Sequence, residues 1–330
     1  MQYLLFALFH REARRLKYKD AGVDIDRANI FVDKLRKTFG SVIGPFGGTF
    51  NFKDSTLVAS TDGIGTKLIL EARYERMANA AQDLVAMNVN DLSCMGARPL
   101  FFLDYIGCPE IDNSILEPFI ESLRSILDSL DCKLLGGETA EMPFIYPKGV
   151  LDIAGFVVGE IKTPDRKAFG PKKVKIGDIA IALPSSGLHS NGYTLVNKLI
   201  DNGVLDESDA SLMDTLLVPT KLYVFKPMDA IHACAHITGG GLIENLPRII
   251  PEGARLDFKT GDVPKIFEKI QKAGNISDDE MLRTFNMGTG FVILVEPTKV
   301  NEVMNELRDF SPVISGKVCE DESGCHIRIR

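Results

Sequence analysis

The sequence carries no surplus of positive charge. Its 38 Lys and Arg stand against 45 Asp and Glu, giving a net charge of −7 and a pI near 5.4. That excludes the basic footprint of a nucleic-acid surface. It does not exclude nucleotides, because a bound divalent cation can screen acidic ligands from phosphate. The six cysteines form no CxxC and are scattered, which fits reduced cytosolic thiols better than a disulfide framework. His232, Cys234 and His236 alternate, so a strand would set them on one face. No fourth ligand accompanies them, and a buried apolar edge is the expectation. No apolar run approaches a membrane span. The longest at the start, Tyr3 to Phe9, is only seven residues, too short to cross. Its charges follow the run instead of preceding it, unlike a signal peptide. Residues 1–16 therefore read as a leader, and the chain as cytoplasmic with no membrane partner.

Two familiar phosphate motifs are also missing. In STDGIGTK, Ser60 to Lys67, the spacing is wrong for a P-loop, and Leu68 stands where a dinucleotide fingerprint needs its third glycine. What remains is an aspartate, Asp62, in front of a glycine turn.

At 330 residues the chain suits about two ordinary domains. Its 45% hydrophobic and 25% charged content is that of a soluble globular protein. Strands are expected over Ser55–Thr61, Pro99–Ile106, Lys133–Leu135, Val150–Ile161, Ile179–Leu183 and Phe291–Val295, with a strand pair near the end. Helices are expected over Asn79–Met95, Ile111–Leu130 and about Lys299–Asp309. The polar segment Lys162 to Asp178, with two prolines, is the domain boundary, giving domains of 17–165 and 166–330. The alternation of elements places the fold in the α/β class (α+β type), as two mixed domains.

Polar, glycine-rich loops at element ends are where sites lie. Here they are STDGIGTK, GGETAEMP (Gly136 to Pro143), SSGLHSNG (Ser185 to Gly192) and HITGGGLIENLPR (His236 to Arg248). A further polar pair, Asn90-Asp91, sits inside an apolar helix, where burial without partners is costly. Asp62, Asp91, Glu138 and Glu141 are oxygen ligands of the kind Mg²⁺ takes together with phosphate oxygens. On that reading Asp62 holds the metal and the metal holds phosphate. Lys67 and the amides of Gly63 to Thr66 would touch phosphate directly.

These motifs, together with YKDAGVDID (18–26), GPFGG (44–48), VNDL (89–92), FFLDYIGC (101–108) and RTFNMGTG (283–290), occur in the order of one family. From about Tyr18 onward the chain resembles the AIR synthetases, the phosphoribosylformylglycinamidine cyclo-ligases of purine biosynthesis. It departs from the pattern at Leu188, Met287 and Thr289, where proline, cysteine and valine are usual. The resemblance implies two α/β domains, a homodimer with N-terminal sheets paired across the two-fold, and a cleft between domains as the active site. It implies ATP-dependent ring closure of formylglycinamidine ribonucleotide (FGAM) to aminoimidazole ribonucleotide (AIR), through an iminophosphate, with Mg²⁺. By the same resemblance His189, Asp62 and His236 are catalytic. Lys19, Gly63, Gly65, Thr66, Lys67, Asp91, Gly136, Gly137 and Glu138 meet the nucleotide. Ser190, Asn191, Thr238, Gly239, Gly240, Gly241 and Asn286 meet the substrate, and Asp62, Asp91, Glu138 and Glu141 the metal. The competing readings are a relative of the same fold, such as a selenophosphate synthetase, a hydrogenase-maturation protein or a thiamine-phosphate kinase, and a catalytically silent nucleotide binder.

Overall fold

A computed structural model describes residues 16–39, 44–162, 169–321 and 324–330. Almost all of the leader, and residues 163–168 of the expected boundary segment, lie outside the described residues.

The first domain opens with helix α1 (Ile25–Phe39) and is built on strands β1 (Gly48–Phe52), β2 (Ser55–Gly63), β3 (Arg98–Cys108), β4 (Lys133–Glu141) and β5 (Asp152–Lys162). Their order is β1-β2-β5-β3-β4, antiparallel except for the parallel pair β3/β4. A parallel pair needs a crossover, which α4 (Asn113–Ser129) supplies. Asp112 caps that helix by accepting from the Ser114 amide. The helices α2 (Lys67–Arg73) and α3 (Met77–Met95) follow the turn after β2. One face of the sheet packs on α3 and α4 through Val58, Phe102, Val157, Leu84 and Phe119.

The second domain carries β6 (Ile179–Pro184), β7 (Ile231–His236), β8 (Ala254–Phe258), β9 (Thr289–Val295), β10 (Val313–Glu320) and β11 (Ile327–Ile329) in the order β11-β8-β10-β6-β9-β7. Its helices are α5 (Tyr193–Asp201), α6 (Ala210–Leu216), α7 (Gly241–Asn245), α8 (Lys265–Gly274), α9 (Asp278–Thr284) and α10 (Val300–Glu306). Alternate residues of β6 face opposite cores. Ala180 and Ala182 pack towards α7, whereas Ile181 and Leu183 pack towards α10 and Cys94 of α3. The central strand β9 is buried along its whole length, which explains its unbroken apolar sequence.

Two expectations change here. The last two strands do not pair with each other, because both lie against β8. GGETAE is not a loop but the body of β4, an exposed edge strand of the first sheet.

The helix α3 joins the domains. It is buried over most of its length, as a helix that is apolar nearly all round must be. Apart from Asp91, its polar exceptions fall on two opposite sides at 100° per residue. Asn88 faces the first sheet, while Asn79, Gln82, Asp83 and Asn90 form a stripe facing the irregular segment 217–223 of the second domain.

Candidate active-site cleft

The cleft is built from the end of β2 outward. The buried Asn88 side chain accepts from the Asp62 amide at 3.0 Å and donates to the Asp62 carbonyl at 3.1 Å, fixing the strand where the aspartate stands. Beside it in β5 is Gly155, where a Cβ would strike Phe102 and the Asn88 amide, so glycine is required for that fit. The Asp62 carboxylate accepts from the Gly63 amide at 2.8 Å. Burial, and then the charge of Asp91, push its pKa up to about 7. Loss of water and a neighbouring negative charge both favour the neutral acid.

Asp91 is held from both sides. One oxygen accepts from Ser60 Oγ at 3.0 Å, and the other faces His236 Nδ1 at 3.2 Å. The hydrogen bonds assign the tautomer of His236. Asn90 accepts from the Tyr223 amide at 2.7 Å and donates to the Lys221 carbonyl at 3.0 Å, which fixes its amide group. Its NH₂ therefore meets His236 Nε2 at 3.2 Å as a donor, leaving the ring proton on Nδ1 for Asp91. The Asn90-Asp91 pair is thus one meeting point of the two domains.

His189 sits deep in the same region with φ of +61°, a strained backbone for a side chain of that size. The Ser186 amide donates to its Nε2 at 3.2 Å. The proton therefore lies on Nδ1, which is buried and has no partner. Burial, followed by the nearby His236 and Lys67, pushes its pKa down, so this is a neutral hydrogen-bond donor. Asn191 Nδ2 is a second buried donor without a partner. Orphaned buried donors are costly, and an oxygen-rich ligand would satisfy both.

Several expected site residues are used elsewhere. The Lys67 ammonium is fully buried, 2.6 Å from Asp83 and 2.8 Å from the Val218 carbonyl, so it is closed to phosphate. Ser190 turns inward to Asp83 at 2.9 Å. Thr66 binds Thr194 across the domains at 2.9 Å. Asn286 ties the 185–187 and 286–288 turns together through Ser185, Gly187 and the Gly288 amide. Lys19 pairs with Asp24 at 2.7 Å. Gly65 remains open at φ +72°. The loop of Thr238, Gly239, Gly240 and Gly241 is braced by Asn245, whose NH₂ reaches the carbonyls of Thr238, Gly239 and Gly241.

The four carboxylates do not assemble within one chain. Among the described residues no three His, Cys, Asp or Glu side chains form a metal-binding group. Asp62, Gly155, Asp104 and Gly137 share one row across the sheet. Glu138 belongs to the next row, opposite Tyr105, so pleat alternation turns it to the other face. Glu141 accepts from the Ile111 amide at the strand end. Asp104 is the carboxylate that motif reading passed over. It lies on the Asp62 face with its pKa raised by burial, and its oxygen sits where a Cβ on Gly137 would fall. The signal was a lone acid within the apolar run of FFLDYIGC.

Residues 47–161 match the family described as AIR synthase related protein, N-terminal domain, and residues 175–326 match its C-terminal domain. The chain belongs to the AIR synthase related family. It is 39% identical to the phosphoribosylformylglycinamidine cyclo-ligase of Chromobacterium violaceum over 94% of this chain and 97% of that protein. It is also 37% identical to the human trifunctional purine biosynthetic protein adenosine-3 over 98% of this chain, but spans only 35% of that protein. Among solved structures, the thiamine monophosphate kinase of Aquifex aeolicus superposes with a TM-score of 0.63 at 16% identity, covering 93% of this chain and all of that one. A HypE–HypF complex gives 0.64 at 16% identity, covering 91% of this chain and 95% of that one. At such identities these two establish the fold of this AIR synthase relative and no more.

Asp62→Asn tests the electrostatics. The folded pKa of Asp62 lies above its unfolded value, so its contribution to stability is complete below the unfolded value and is lost as pH rises through about 7. Thermal melts of metal-free protein across that range should show the loss in wild type and a shallower slope in the variant. An identical slope in both would refute the shifted pKa.

Proposed function

We infer that the chain closes the imidazole ring of the purine precursor, converting FGAM and ATP to AIR, ADP and phosphate. The observation that carries this is the end-to-end match to a bacterial cyclo-ligase at 39% identity. A formamide oxygen is a poor leaving group. Transfer of the γ-phosphoryl of ATP to that oxygen gives an iminophosphate. The substrate's own amidine nitrogen then attacks the same carbon, the C–O bond breaks, and the oxygen departs with inorganic phosphate. Both steps depend on positioning and charge stabilisation.

The residues fit these demands. Asp62 and Asp91 are the hard-oxygen pair for Mg²⁺, which takes one or two carboxylates together with substrate phosphates. Bound there, the ion would screen phosphate charge. Ser60 and His236 hold Asp91 in position, as outer partners of a metal ligand do. His189, a neutral Nδ1–H donor, suits an oxygen on which charge grows, as does Asn191. The glycines at 65, 136 and 239 leave room for phosphates beside the backbone, whereas the Cβ positions of 137, 240 and 241 are filled by neighbouring atoms. Lys19 stays at the rim as a nucleotide contact.

The chain works as a homodimer on this reading. The sheet face opposite α3 is apolar and uncovered, carrying Phe50, Leu57, Phe101, Leu103, Tyr105 and Phe156, with Phe50 67% and Phe156 40% exposed. A patch of this kind marks an interface, and Glu138 shares that face. Replacing Phe156 by aspartate should shift the mass seen by light scattering from two chains to one. An unchanged dimer would move the interface elsewhere.

The activity is tested by ADP release from Mg-ATP with and without FGAM, following the product by mass. Release should require FGAM, and the product should be one water lighter. Release without FGAM, or nucleotide binding without turnover, would point to another acceptor on the same fold.

A further inference from the structure

We propose that Asp83 is a positioning residue for the reaction, clamping the 185–191 loop against the first domain so that His189 and Asn191 are held at the substrate. The proposal rests on the reading that this loop faces the substrate.

Asp83 lies on the buried stripe of α3 and is not accessible to any ligand. One of its oxygens accepts three hydrogen bonds from the second domain, from Ser190 Oγ at 2.9 Å, from the Thr220 amide at 2.7 Å and from the Thr220 hydroxyl. The Ser190 and Thr220 hydroxyls also meet each other at 3.0 Å. The other oxygen takes the Lys67 ammonium. Lys67 in turn reaches the Val218 carbonyl, and Ser186 Oγ donates to the Pro219 carbonyl at 2.7 Å. One carboxylate therefore fixes both ends of a short path. Ser190 follows His189 directly in sequence, and Ser186 supplies the amide that sets the His189 tautomer. Among the described residues the Ser190 hydroxyl meets only Asp83 and Thr220, so Asp83 is its one hold in the first domain.

Asp83, Lys67 and Glu71 are all fully buried. Glu71 lies 3.8 Å from Lys67, and burial and the charge of Asp83 raise its pKa, keeping it protonated. The set is therefore neutral: one ammonium, one carboxylate and one carboxylic acid. In Asp83→Asn, Glu71 can ionise and replace the lost charge beside Lys67. A Lys67 with no counter-ion would threaten the fold, and this spare acid keeps the variant testable.

The test compares steady-state turnover and melting temperature in Asp83→Asn, Thr220→Val, Thr220→Ser and His189→Ala. Asp83→Asn should lower kcat on the order of ten- to a hundredfold, as small misplacements of catalytic groups do. The KM for ATP should hold, because Asp62 and Asp91 are positioned by other residues. Thr220→Val should lower kcat in the same direction, and Thr220→Ser, which retains the hydroxyl, should restore it. A folded Asp83→Asn with wild-type kcat would overturn the proposal. So would equal losses in Thr220→Val and Thr220→Ser, which would assign Thr220 to packing. If Asp83→Asn does not fold, the Thr220 pair decides alone. Unchanged turnover in His189→Ala would overturn the reading of the loop itself, and a loss there with none at Asp83 or Thr220 would overturn only the clamp.

Discussion

The cleft depends on one polar stripe along a buried helix. Asn79, Gln82, Asp83 and Asn90 of α3 supply the hydrogen-bonding partners for a stretch of backbone, residues 217–223, that belongs to neither a strand nor a helix. Irregular backbone can be buried only if its amides and carbonyls find partners. Here side chains of the other domain provide them. The consequence is that the two domains are joined by directional contacts, which fix a position, in addition to apolar packing, which is non-directional.

The same stripe ends at the chemistry. Asn90 sets the tautomer of His236, and His236 and Ser60 set the rotamer of Asp91. On the opposite side of the helix Asn88 fixes the backbone of Asp62. One helix thus places both carboxylates, and it does so with neutral amides that leave the acidic charge for a cation to satisfy.

Periodicity made much of the fold legible. The strands leading into Asp62 and Val150–Ile161, the helices over residues 79–95 and 111–130, and the two mixed domains follow from spacing that only one kind of element satisfies. The polarity of Asn90-Asp91 inside an apolar helix correctly marked a contact needing partners. Loop chemistry misled where it depended on pairing. GGETAE has the glycines of a turn, yet it lies as an edge strand beside β3, and pleat alternation then separates Glu138 from Asp62. Lys67 has the position of a phosphate-binding lysine, but its partner, Asp83, is sixteen residues away and becomes visible only when α2 folds onto α3. The motifs offer Ser190 and Asn286 as substrate contacts, while their scaffold contacts lie more than a hundred residues distant in sequence.

The most direct test of this account is amide hydrogen exchange in the 217–223 segment. The amides of Thr220 and Tyr223 are bonded to the buried side chains of Asp83 and Asn90. They should exchange as slowly as amides of the central strand β9, despite lying outside regular structure. Exchange at the rate of an exposed loop would mean that the seam opens freely, and that α3 does not hold the cleft together.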